Sequence, residues 1–189
     1  PKYGSPTDVT VPTDTTVYDY KNKVDVKDNL QSSQAYAYDP GTGKQIPGTW
    51  SFTPWDKPDG FEITQDTMIT GAWKFTPNTY TVTYDVDDDP AYGSPTDVTV
   101  PTDTTVYDYE DPVDVKDDLK SAQDYAYDKN LGENVPGSWS FTSWDKQDGF
   151  EITENTTIKG AWSFPPDTYT VTYETEDDPK YGSPTDVTV

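Results

Sequence analysis

Carboxylates are the most abundant chemistry-bearing groups in this chain. Of 189 residues, 35 are Asp or Glu, against 13 Lys and no Arg, His or Cys. Two carboxyls about 5–10 Å apart could act as the acid and base of a glycosidase. Six to eight oxygens brought together could hold calcium. Most of these carboxylates sit beside turn residues or on the polar faces of strand-like stretches, the pattern of a solvated acidic surface. We therefore expect no enzymatic activity. The densest run is Asp85–Asp89 (DVDDD), matched by Glu174–Asp178 (ETEDD). It makes Asp85, Asp87, Asp88 and Asp89 the candidate calcium ligands. The run lacks the spaced loop and glycine of an EF-hand, and exchange of Asp for Glu between copies changes ligand reach. An exposed acidic loop is the plainer expectation, with no metal and no cofactor.

The six tryptophans are the other candidates. Indole rings stack on sugars and anchor interfaces. Trp50, Trp139, Trp73 and Trp162 share strand parity with other apolar residues and read as core. Aliphatic residues are scarce, so aromatics must supply much of the buried area. Trp55 and Trp144, in PWDK and SWDK, are the candidate ligand-binding residues. Asn155-Thr156-Thr157 matches a glycosylation sequon, read here as chance.

Missing groups exclude further classes. Without Cys or His there is no disulfide framework and no ordinary zinc site. A net charge of −22 is opposite to what nucleic acid or an anionic membrane surface attracts. No apolar run is long enough for a membrane span or signal peptide. The chain reads as an internal excerpt of a longer, extracellular protein.

The elements that would position these residues come in repeats. YGSPTDVTV occurs at Tyr3–Val11, Tyr92–Val100 and Tyr181–Val189, with spacings 92 − 3 = 89 and 181 − 92 = 89. The overlay needs no gap and pairs Trp50 with Trp139, Trp55 with Trp144 and Trp73 with Trp162. Strand signals lie at Tyr80–Tyr84, Asp97–Val100, Thr104–Tyr109, Ser138–Thr142, Phe150–Thr153 and Thr156–Phe164. DGF at Asp59–Phe61 and Asp148–Phe150 reads as a turn ahead of a strand. In VDVKDDLKSAQ, Val115, Leu119 and Ala122 fall at i, i+4 and i+7 behind a cap candidate, Asp114. Val26, Leu30 and Ser33 repeat that spacing behind Asp25. The expected fold is α+β and mainly β: two tandem elongated domains, each a small sheet with one short helix, arranged end to end as a rod.

The stretch WSFTSWDKQDGFEITENTTIKGAWSF followed by YTVTY resembles the SHIRT domain, the high-identity tandem repeat of streptococcal surface proteins. The last portion is also similar to the Listeria–Bacteroides repeat, and PKYGSPTDVTVP more faintly to Rib-type repeats. The SHIRT resemblance covers almost the whole chain. It implies a wall-anchored surface protein of a Gram-positive bacterium, whose repeats form a stalk that projects a separate adhesive domain. Repeat number then sets the reach. The adhesive ligand would bind elsewhere in the full protein, and no site residues come with the resemblance. In that register residues 1–78 are a first repeat without its opening strand, 79–167 a complete second, and 168–189 the start of a third. The alternative register is 1–90 and 91–179. The SHIRT register also implies a partner. Tyr169–Tyr173 of one copy could complete the sheet of another by strand donation. The rival expectation is that each repeat binds host glycan or protein through exposed Trp and Tyr.

Overall fold

The computed structural model describes residues 2–174 and Lys180. It contains β1 (Tyr36–Tyr38), β2 (Gln45–Thr53), β3 (Ala72–Pro77), β4 (Val82–Asp87), β5 (Tyr125–Asp128), β6 (Glu133–Pro136), β7 (Ser140–Thr142) and β8 (Thr156–Ser163). The sheets have the orders β1-β2-β3, β4-β8-β7 and β5-β6. The fold is mainly β, and among the described residues there is no helix.

The expected α+β class, with one helix per domain, is therefore corrected. Residues 113–123 and 24–34 hold the helical spacing without the helix. Their composition explains it. Val and Asp are poor helix formers, and isolated helices this short are marginal. Groups outside the segment also take its backbone. Val115 N–H donates to Asp148 Oδ1 at 3.0 Å, and Lys116 N–H donates to the Tyr84 hydroxyl at 2.9 Å. The Trp144 indole donates to the Asp117 carbonyl at 3.1 Å, and Ala122 N–H donates to Asp97 Oδ2 at 2.8 Å. The apolar residues of the pattern do not share one buried face: Val115 and Leu119 are half-buried and Ala122 is exposed, with Leu119 packed on a tryptophan cluster, while the neighbouring Val113 is 1% exposed.

Two predicted strands also differ. Asp97–Val100 and Thr104–Tyr109 are irregular, apart from a single bridge at Tyr107. Asp side chains bind the local backbone there and compete with a ladder. Asp103 accepts from Thr105 N–H at 2.8 Å and from the Tyr107 hydroxyl at 2.8 Å. Phe150–Thr153 likewise forms one bridge, Pro112↔Glu151. Conversely, β1, β5 and β6 were not marked by propensity. Their turns make them. Gly132 N–H donates to the Asp128 carbonyl at 2.8 Å, and Asp128 Oδ1 accepts from Asn130 N–H at 2.7 Å. Gly132 has φ 76°, which a side chain resists.

The chain divides into two compact units. One comprises Pro1–Asp85, Val100–Asp117 and Trp144–Lys159; the other comprises Val86–Thr99, Asp118–Ser143 and the residues from Gly160 onward. In the first unit, β2 and β3 are antiparallel with Trp50 opposite Phe75 and Phe52 opposite Trp73. Period-two alternation thus puts Trp50 and Phe75 together over Ala37, with Tyr3, Ile46 and half-buried Trp73 around them. The same unit buries Val82, Tyr107, Val113, Trp144, Ile152 and Ile158.

In the second unit, β7 and β8 place Phe141 opposite Trp162. Trp139, Trp162, Phe164 and Ala126 form its buried cluster. Trp139 and Phe164 lie 4.9 Å apart, tilted. The two clusters are built from corresponding residues, so one sequence pattern makes the same core twice. Each buried aromatic contributes on the order of 2–3 kcal/mol.

Candidate functional site

Strand β4 meets its neighbour with partners rising together. Thr81 N–H donates to Asn155 Oδ1 at 3.0 Å, and the Thr83 and Thr157 hydroxyls lie 3.0 Å apart. The differences are equal, 155 − 81 = 74 and 157 − 83 = 74, which means that β4 and β8 run parallel. Thr156 N–H adds a bond to the Thr81 carbonyl at 3.0 Å. Parity then turns Val82 and Tyr84 inward, and Val82 is only 1% exposed. The Tyr84 ring stands edge-on to Trp144, centroids 4.9 Å apart.

The corresponding surface of the first copy is open. A cleft of about 740 Å³ is lined there by Val24, Val26, Trp55, Phe61, Ile63 and Ile69, among others. The counterparts of Ile63 and Ile69 in the second copy, Ile152 and Ile158, are 0% exposed. Ile63 and Ile69 are half-buried.

The candidate ligand-binding tryptophans sit on these two versions of one surface. Trp144 is 8% exposed and its N–H is engaged by Asp117. Trp55 is half-buried in the cleft, packs edge-on to Phe52 at 4.9 Å and donates to the Asp28 carbonyl at 3.1 Å. A stacking platform needs a free ring face; the Trp55 side of the molecule offers more of one than the Trp144 side.

The acidic run does structural service at its end. Asp89 Oδ1 accepts from Ala91 N–H at 2.8 Å and Tyr92 N–H at 3.0 Å. Its Oδ2 accepts from Phe164 N–H at 3.0 Å. Partial burial works to raise this carboxyl, and the three N–H groups outweigh it and leave it lowered. Asp88 accepts from the Ser94 hydroxyl. Asp85 and Asp87 are exposed on β4. Among the described residues, no group of three or more His, Cys, Asp or Glu could hold a metal ion. Residues 175–178 of the matching run lie outside the described residues, as does the third YGSPTDVTV. Asn155 of the sequon is occupied as the acceptor for Thr81.

Comparison with known proteins adds one likeness. No family model matches the chain, and no curated protein matches it. A solved structure of Streptococcal High Identity Repeats in Tandem (SHIRT) domains 3-4 from a cell surface protein is similar to it. The two share 26% identity, covering 83% of this chain and 86% of that one, with a TM-score of 0.45.

Sequence reasoning missed how the stretch between β3 and β4 is held. Asn78 N–H donates to the Pro47 carbonyl at 2.9 Å. Tyr80 and Tyr107 exchange two backbone bonds of 2.9 Å. Nearby, Lys44 forms an ion pair with Glu110. Asp167 N–H donates to the Pro136 carbonyl at 2.9 Å, so the first of these bonds recurs 89 residues later. The signal in the sequence is the Pro before each join, which predicts stiffness but names no partner.

Proposed function

We propose that these repeats are structural stalk units of a cell-wall-anchored surface protein of a Gram-positive bacterium. They project an adhesive domain away from the cell, and repeat number sets the length. The observation that carries this reading is the join at residues 78–81. Asn78, Tyr80 and Thr81 each donate a backbone N–H to a fixed acceptor, and Pro77 precedes them. A segment that short, with three of its four N–H groups bonded inside one compact unit and a Pro before it, is stiffer than a Gly/Ser tether. The sequence resemblance to SHIRT repeats supports the same reading. So does the charge, because near-identical neighbours risk exchanging elements, and like charge opposes association.

Chains with two, three and four repeats test it by small-angle scattering. The maximum dimension should grow linearly, by at least about 30 Å per repeat on compact scaling. Growth that flattens as repeats are added would rule out a stalk.

A further inference from the structure

We infer that the contact between Lys44 of the first copy and Glu110 of the second is a charge code for which repeat stands next to which, and that it fits a neighbouring repeat of the opposite charge type. The overlay of the two copies carries this. In Tyr3–Ala91 against Tyr92–Lys180, two positions exchange a lysine for an acid. Lys21 corresponds to Glu110 and Lys44 to Glu133, with 110 − 21 = 89 and 133 − 44 = 89. Those are the two positions that meet. Lys44 Nζ donates to Glu110 Oε2 and forms an ion pair with it, and both residues lie in the same compact unit. The first copy is basic at both positions, and the second is acidic at both. Copies of opposite type therefore match in either order. Copies of one type set two ammoniums or two carboxylates against each other.

The backbone holds both positions in place. Lys44 closes the turn after β1, where its carbonyl accepts from the Asp39 N–H at 2.9 Å. Glu110 has φ 65° and Lys21 has φ 64°. Among the described residues these are the non-glycine residues in the left-handed region, which resists a side chain. Such a conformation persists where its surroundings fix it. Glu110 N–H donates to the Ile152 carbonyl at 2.7 Å, and Lys21 N–H to the Ile63 carbonyl at 2.7 Å. Each copy thus presents the same turn with the opposite charge on it. Backbone bonds join the same segments close by. Asn78 donates to Pro47, with 47 − 44 = 3, and Tyr80 exchanges bonds with Tyr107, with 110 − 107 = 3. The Lys44 ammonium is raised above its ordinary 10.5 by its bond to Glu110, by the charge of Glu110 and then by that of Glu151. Glu151 recurs as Glu62, which makes the acid–acid joint the least favourable. The Lys44 side chain is 53% exposed, and an exposed pair adds little stability by itself. What it supplies is discrimination, the difference between attraction and repulsion at one place. Selectivity goes beyond the stalk reading, which requires only a stiff join, and does not rest on it.

All four joints can be made in the 189-residue chain. Lys44→Glu creates the acid–acid joint, Glu110→Lys the lysine–lysine joint, and the two together the reversed order. Amide hydrogen exchange at Tyr80 and Tyr107 reads the opening of the joint. At low salt, protection there should fall about threefold to tenfold in Lys44→Glu and by less in Glu110→Lys. In the double variant it should return to within about twofold of the native chain. The losses should shrink in salt of about 0.5 M. Lys129→Glu changes an exposed lysine on the turn after β5 and alters net charge by the same amount as Lys44→Glu. It should leave these amides as they are. Two results overturn the inference: Lys44→Glu that exchanges no faster than Lys129→Glu, or a double variant no better protected than Lys44→Glu alone. Neither bears on how the maximum dimension grows with repeat number, so the stalk reading is tested separately.

Discussion

The Tyr84 ring lies edge-on to the indole of Trp144, centroids 4.9 Å apart and planes at 68°, and its hydroxyl accepts the backbone N–H of Lys116 at 2.9 Å. One side chain thus ties β4 to two distant segments, one by area and one by a hydrogen bond. The two contributions can be separated. Tyr84→Phe keeps the ring and leaves one N–H unpaired, which should cost about 1 kcal/mol. Tyr84→Ala removes the ring as well and should cost about 3 kcal/mol. Urea unfolding of both variants reads the difference. Equal losses would mean that the ring contact contributes nothing.

Gly160 lies under Phe141. A Cβ built there would come within 2.2 Å of the Phe141 ring, and Gly71 stands in the same relation to Phe52. The flat fit lets each Phe pack against the neighbouring Trp, at 5.0 Å in both copies. Gly160→Ala should therefore destabilise by about 1–3 kcal/mol through overpacking. Gly160→Ala combined with Phe141→Leu should recover part of that loss. If Gly160→Ala alone leaves the thermal midpoint unchanged, the ring does not need the bare glycine.

Asp89 organises the turn after β4 by accepting three N–H groups. Asp89→Ala should lower the thermal midpoint, and Asp89→Asn, which keeps one acceptor oxygen, should lower it less. Because both carboxylate oxygens are already engaged, millimolar calcium should leave the midpoint of the native chain where it is. A clear rise with calcium would show that the acidic run binds it.

Acid should act in two opposite ways. Asp8, Asp14, Asp97 and Asp103 all have carboxyls held below their ordinary value of 3.8. For Asp14 the cause is chiefly the Thr16 N–H, and its value is about 2. For Asp97 it is the Ser121 hydroxyl and then the Ala122 N–H. Burial works to raise Asp103, and hydrogen bonds from Thr105 and Tyr107 outweigh it. A native value below the unfolded one contributes stability that is present above pH 3.8 and lost as pH falls toward 2. Between neutral pH and about 4, protonation first relieves the repulsion of 22 excess negative charges. Thermal stability should rise as pH drops from 7 toward the sequence pI near 4.1 and then fall steeply below it. Added salt should raise the midpoint at pH 7 and matter little near pH 4. A midpoint that falls steadily from pH 7 downward would contradict the repulsion argument.

Much of this protein was legible in the order of its residues. The period of 89 residues is there, as are the mainly β character, the parity that buries Trp50, Trp139 and Trp162, and the turns set by Asp-Gly pairs. These are local or repeated properties, so propensity and alternation reach them. The segment around Leu119 shows the limit. Its helical spacing is real, but Asp148, Tyr84, Trp144 and Asp97 take its backbone groups, and none of them is near in sequence. The candidate surface shows the same limit. Trp55 and Trp144 have almost the same neighbours in sequence, yet one borders an open cleft and the other is buried beneath Tyr84. The residue types determine that the surface is apolar and give TYTVTY its strand propensity, yet the end of Thr79–Tyr84 lies in β4 while Thr168–Tyr173 is not strand. Whether surface and segment meet depends on which strand lies beside which edge, and only the tertiary structure decides that, because parallel pairing joins residues 74 positions apart.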